Sequence, residues 1–141
     1  MIGMLFILPG ITAAQTLQLR PLKKAPSKPV LYELNMRVNR DISSVATIEI
    51  QFPAHFDLSA VKIAGSNAIK GGIRFSVDST TVVLQRTGLG PTVPAGQSVS
   101  LIFGPVVQKS SPTNVDSVWV RIFFEGVQKR SNYQAFKIGI R

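Results

Sequence analysis

The chain has 141 residues, enough for one domain with a core of its own, and 45% of them are hydrophobic, which excludes wholesale disorder. Sixteen Lys+Arg face seven Asp+Glu for a formal net charge of +9, although only 16% of residues are charged. With no cysteine and one histidine, disulfide scaffolds, thiolate zinc sites, iron–sulfur clusters and cysteine nucleophiles are excluded.

Residues 1–14, MIGMLFILPGITAA, carry no charged side chain and contain Pro9 and Gly10. The run is shorter than the roughly 20 apolar residues of a spanning helix. It reads as the apolar core of a secretory signal peptide, with Thr12-Ala13-Ala14 as the small residues at a cleavage site and Gln15 as the first mature residue. No Lys or Arg precedes the run, so either the leading region is degenerate or the chain is truncated upstream; the other reading is a buried strand, MLFIL. The mature protein is expected to have no transmembrane span and to be secreted or held at a cell surface.

Thr16, Leu17, Gln18 and Leu19 alternate as a short strand does. Arg20–Pro29 then holds three prolines and four cationic side chains, which oppose helix and central strand alike. Residues 15–29 are therefore expected to form a basic, Pro-rich arm. Two readings stand: Thr16–Leu19 adds to a sheet edge of a neighbouring copy, or the arm is a solvated spacer or lies on its own edge strand.

From residue 30 to 141 the dominant period is two. Val30, Tyr32, Leu34, Met36 and Val38 form one inward set; Ala46, Ile48, Ile50 and Phe52 the next. Ile73, Phe75 and Val77 follow, then Val99, Leu101 and Phe103, then Val118, Val120, Ile122 and Phe124, and finally Phe136, Ile138 and Ile140. Short apolar runs at Val61–Ala64 and Thr81–Leu84 fill the gaps. Turn residues separate the runs, among them Gly71-Gly72, Asp78-Ser79, Gly88 to Pro94 and Ser110 to Asn114. No stretch has the spacing of a core helix. The expectation is a single all-β domain, an antiparallel sandwich of about seven to nine strands by the strand-spacing rule, with a barrel as second choice.

Residues 48–107 have a recognisable cadence. A strand ends in Phe52-Pro53 and is followed by Phe56-Asp57-Leu58-Ser59; a hairpin has Thr81–Arg86 as its second strand; Val93-Pro94-Ala95-Gly96 leads into the strand Ser98–Phe103. This pattern resembles the immunoglobulin-like sandwich modules of secreted and cell-surface structural or adhesive proteins. Such modules often place Asn-Pro after the last of these strands, where this chain has Gln108-Lys109-Ser110-Ser111-Pro112. The resemblance implies a fold and a habitat, usually without catalysis.

Groupings that carry chemistry are scarce. A Ser-His-Asp triad would have to use His55, for which Asp57 is the nearest carboxylate in sequence; an ordinary turn histidine is the plainer reading. The seven carboxylates show neither a calcium-loop nor a glycosidase spacing. Gly71-Gly72 and Gly88-Leu89-Gly90 lack the Lys-Ser/Thr and helix of a phosphate loop. No catalytic residue, metal ligand or cofactor site is expected.

Positive charge is the loud feature. Arg74, Arg121 and Lys137 fall on outward strand positions and would form a basic stripe if aligned. With Lys23, Lys24 and Lys28 of the arm they are the candidate contacts for a polyanion, an acidic polysaccharide before a nucleic acid, because no RNA-binding motif accompanies them. The competing reading is solubility and edge protection. Trp119 and Phe123 also point outward, as a contact surface or as residues covered by a turn. Together these features predict a secreted, non-catalytic structural or adhesive subunit that associates with itself or with other surface proteins and assembles through its N-terminal strand; the alternative is a basic polyanion-binding module.

Overall fold

The computed structural model describes residues 15–25, 27–109, 116–126 and 133–140. The signal-like segment 1–14 and the turn expected at 110–114 lie outside the described residues. Ten strands are described: β1 (Thr16–Pro21), β2 (Pro29–Arg37), β3 (Thr47–Gln51), β4 (Phe56–Asp57), β5 (Ile63–Ser66), β6 (Ile73–Asp78), β7 (Thr81–Arg86), β8 (Ser98–Gln108), β9 (Ser117–Phe123) and β10 (Tyr133–Gly139). They make two five-stranded sheets. The first runs β1-β2-β8-β4, with β5 also on β8; the second runs β10-β9-β3-β7-β6. All pairings between the named strands are antiparallel. The sheets pack as an immunoglobulin-like sandwich, not a barrel.

Alternation explains why two sheets are needed. Each long strand has one apolar face, and stacking the two sheets removes both from water at once. Tyr32, Leu34 and Met36 of β2 and Val99, Leu101 and Phe103 of β8 enter from one side. Ile48 and Ile50 of β3, Val82 and Leu84 of β7, and Val118, Val120 and Ile122 of β9 enter from the other. One end of the core is aromatic: Tyr32 and Phe52 meet edge to face at 5.8 Å, and Phe103 stacks on Tyr32 at 6.3 Å. Burial, with a smaller contribution from the nearby Asp116 charge, pushes the Tyr32 phenol up to about 12.

Three expectations differ from what is found. The strand number is ten, because β4 is a two-residue strand and Thr16–Pro21 joins the first sheet. The sandwich thus takes in residues that were expected in an arm outside the 30–141 body, in the own-edge placement that the sequence left open. The third difference is at β6. Ile73, Phe75 and Val77 do face inward, opposite Arg86, Leu84 and Val82, yet Phe75 and Val77 are each 38% exposed. Among the described residues, the strand of the other sheet that lies against β6 is β5, whose inward residues are the small Ala64 and Ser66.

Candidate functional site

β1 forms the outer edge of the first sheet, in register Thr16↔Arg37, Leu17↔Met36, Gln18↔Asn35 and Leu19↔Leu34. Leu19 is fully buried. A parallel bridge from Leu19 to Ile140 ties this edge to the end of β10. On the outer face Arg20 grips Glu33, with Nη2 at 2.7 Å and Nε at 3.1 Å from Oε1. Glu33 also accepts hydrogen bonds from the Ser100 hydroxyl at 2.8 Å and from Asn35 Nδ2 at 3.0 Å. The strand therefore lies on its own body here, the second of the two placements the sequence allowed.

The Ser100 hydroxyl, then Asn35, then Arg20 hold the Glu33 carboxyl below its usual range. A carboxyl depressed by folding contributes stability above its unfolded pKa, and that contribution is lost as pH falls through the lower folded value. Glu33→Gln is therefore expected to be less stable than the natural chain near neutral pH, with the gap closing between about pH 5 and pH 2 in urea titrations. A gap that stays constant over that range would show that the ionised carboxylate is not what the network holds.

The six candidate polyanion contacts fall in two places. Lys23, Lys24 and Lys28 are exposed in the connection between β1 and β2, whose main chain is fixed by Ser27 N–H donating to Gln108 O at 3.1 Å. Arg74, Arg121 and Lys137 lie on the other sheet, on its outer face, but in three different cross-strand rows. Lys137 heads the row Lys137–Trp119–Gln51–Thr81–Asp78. Arg121 belongs to Ala135–Arg121–Glu49–Val83–Ser76, and Arg74 to Tyr133–Phe123–Thr47–Gln85–Arg74. Arg121 and Lys137 are diagonal neighbours, whereas Arg74 is three strands from β9, about 14 Å. Glu49 sits directly opposite Arg121, and Arg121 Nη2 donates to Gln51 Oε1 at 3.0 Å. These residues form a mixed-charge face, with Glu49 and Asp78 between and beside the cations.

The two outward aromatics separate. Trp119 is 42% exposed, while Phe123 is buried and stacks with Tyr133 at 5.0 Å. On the outer face of the first sheet, Gln18, Asn35, Arg37, Asn67, Ser98 and Ser100 help line a shallow groove of about 240 Å³. Its lining mixes amide, hydroxyl and guanidinium groups with apolar surface, Met36 and Val99 included, so it offers hydrogen bonds beside an apolar floor.

His55 has a carboxylate partner, and it is not Asp57. His55 Nε2 lies 3.1 Å from Asp116 Oδ2, which also accepts from Gln108 Nε2 at 3.1 Å. Asp57 instead accepts the Ser59 N–H at 2.9 Å, which closes a turn; the Ser59 hydroxyl first, and this N–H second, lower its pKa. The His55–Asp116 pair joins residues 61 apart and ties the start of β9 to the loop before β4. Among the described residues no group of three or more His, Cys, Asp or Glu converges as a metal site would need.

Sequence reasoning passed over Arg86. Its guanidinium is buried, with the residue 4% exposed, and no carboxylate meets it among the described residues. Nη1 donates to Ile42 O at 3.3 Å and Ser43 O at 3.0 Å; Nη2 donates to Lys70 O at 3.1 Å and Pro91 O at 2.7 Å. Burial lowers its pKa, though an arginine stays charged at ordinary pH. Four main-chain carbonyls thus share one cation. The turns that supply two of them pack backbone to backbone: a Cβ on Gly71 would meet Leu89 O at 2.0 Å, and one on Gly90 would meet Lys70 O at 2.3 Å. Both glycines have positive φ, so side chains are excluded there twice over.

Comparisons with known proteins bear on the fold. No protein-family model matches the sequence, and no curated protein sequence matches it. Solved structures do match. The full-length major pilin SpaD from Corynebacterium diphtheriae aligns with a TM-score of 0.55 and 13% identity, over 90% of this chain and 34% of that one. The chain has the fold of pilin sandwich modules. BcpA, the major pilin subunit of Bacillus cereus, aligns at 0.54 and 10% identity, over 90% of this chain and 40% of that one. The 35 kDa C-terminal fragment of the major pilin GBS80 of Streptococcus agalactiae aligns at 0.52 and 7% identity, over 91% and 56%. This chain therefore spans between about a third and just over half of each matched chain. No helix among the described residues is long and apolar enough to cross a membrane.

Proposed function

We propose that the chain is a non-catalytic structural or adhesive subunit, secreted or displayed at a cell surface, whose copies join by exchanging β1. The observation that carries this reading is the attachment of β1. Among the described residues its sheet neighbours are β2 and, through one bridge, the end of β10, and a seven-residue connection, 22–28, separates it from the body. Fully extended, such a connection reaches about 23 Å. β1 of one copy can thus fill the same place in another, with Leu17 and Leu19 entering the same core and Arg20 meeting the same Glu33. Exchange of identical elements conserves every contact and costs little. A head-to-tail series of such exchanges builds a filament. The sandwich shared with three pilin structures supports a role of this kind.

A disulfide lock tests the reading. Gln18 and Asn35 are directly paired on the outer face, and the chain has no native cysteine to interfere. Paired antiparallel residues have Cα atoms about 4.5–5.5 Å apart, within the range a disulfide spans. Gln18→Cys/Asn35→Cys is expected to form filaments or long oligomers when reduced and none when oxidised, by electron microscopy and sedimentation. Equal assembly in both states would refute exchange. A reduced form that never assembles would refute the filament.

A further inference from the structure

β6 is the edge of the second sheet farthest from β10, and its one sheet partner among the described residues is β7. Its sequence is Ile73-Arg74-Phe75-Ser76-Val77-Asp78, with no lysine or proline to guard the edge. The turn to β7 has two residues, Ser79 and Thr80, so Asp78↔Thr81 is the hydrogen-bonded pair that closes the hairpin. Bonding directions alternate along a strand. Asp78, Ser76 and Arg74 therefore spend their main-chain groups on β7, and Val77, Phe75 and Ile73 turn theirs outward. Phe75 and Val77 also have half-open side chains, and Arg74 and Asp78 have no ion-pair partner among the described residues.

We propose that β6 pairs with β6 of a second copy, antiparallel about a two-fold axis at Ser76, joining two second sheets into one. The strand is self-complementary in that register alone. Phe75 falls opposite Val77 of the second copy and exchanges main-chain hydrogen bonds with it, using the groups β7 leaves over. Arg74 falls opposite Asp78 of the second copy, and the reverse, as non-hydrogen-bonded pairs, where facing side chains are closest. The symmetric contact thus has two apolar pairs on the inward side and two ion pairs on the outer side. It is an isologous, closing contact, distinct from the head-to-tail exchange of β1 and independent of it. A six-residue edge buries little area, so the association is reversible and concentration-dependent.

Charge reversal gives the test, read by sedimentation velocity of the full chain over a range of concentrations. Arg74→Asp places like charges in both ion pairs, and so does Asp78→Arg. Each is expected to weaken dimer formation by roughly tenfold to a hundredfold, since two cross-strand attractions become repulsions. The double variant Arg74→Asp/Asp78→Arg restores opposite charges and is expected to dimerise within a few-fold of the natural chain. Both positions are exposed, and an unchanged strand spectrum by circular dichroism confirms that each variant folds. Oxidised Gln18→Cys/Asn35→Cys, with β1 locked, should still dimerise through β6, which separates this contact from the exchange of β1. A natural chain that stays monomeric at every concentration, single reversals that leave dimerisation unchanged, or a double variant as weak as the singles would overturn the proposal.

Discussion

Arg86→Met is expected to cost about 3–5 kcal/mol of folding stability, between a third and a half of what a domain of this kind possesses. Methionine keeps the apolar stem of arginine but not its planar head, so packing along the stem is nearly preserved. What is lost is the donor set. The carbonyls remain in place: Ile42 O and Ser43 O keep the Val93 and Ala46 N–H donors, whereas Lys70 O and Pro91 O lose the Arg86 donors, at about 1–3 kcal/mol each unless water enters. Replacing a buried ion pair by apolar groups is often neutral, because both partners go together. Here the partners are main chain and stay behind. Arg86→Lys tests the geometry: one ammonium cannot match a planar fork aimed at four carbonyls, so a loss of about 2 kcal/mol is expected although the charge is kept. Urea unfolding of both variants checks this. A loss below about 1 kcal/mol for Arg86→Met would show that the four contacts contribute little net stability.

The position of Arg86 was open to sequence reasoning, and its role was not. Val82, Leu84 and Arg86 alternate, which places the arginine on the inward face of β7. That is the signal: a cation in an inward register position must find acceptors. Which acceptors it finds depends on three separate loops meeting, and no local spacing encodes that. His55 and Asp116 make the same point, since the partner suggested by proximity was Asp57 and the real one lies across the fold.

Period-two alternation fixed the inward face of nearly every strand, because a pleated strand cannot turn its apolar side any other way without exposing it. It said which way β6 faces, and it could not say whether a neighbouring layer was there to cover Phe75 and Val77. That depended on β5, which lies against β6 and carries Ala64 and Ser66, a property of the opposite sheet. Composition left the arm open between detachment and docking on its own edge. Prolines and lysines in 20–29 argue for detachment, yet Leu17 and Leu19 carry enough apolar surface to dock β1, and Arg20 fastens it to Glu33. The basic stripe needed more than outward positions; it needed register, and register sets Arg74, Arg121 and Lys137 in separate rows with Glu49 and Asp78 among them.

Register is also what the second large prediction tests. Val120 is fully buried in the middle of the second sheet, between Ile50 of β3 and Phe136 of β10. Its neighbour Trp119 is 42% exposed, beside Lys137 and Gln51. Val120→Asp removes a buried apolar side chain worth roughly 1.5–3 kcal/mol and puts a carboxylate among Ile50, Val82 and Phe136 with no cation in that row. An uncompensated buried charge adds about 3–5 kcal/mol, and the total approaches the whole stability of the domain. The variant is expected to show no cooperative unfolding transition at room temperature. Trp119→Asp should change stability by no more than about 1 kcal/mol, since its new carboxylate is solvated and lies near Lys137 and Arg121. A shift of one residue in the pairing of β9 would exchange the two outcomes, because successive side chains point to opposite faces. Thermal and urea unfolding of the two variants, one residue apart, therefore reads the register of β9 directly. A folded Val120→Asp beside an unfolded Trp119→Asp would invert the second sheet and with it the outward rows on which the β6 contact is built.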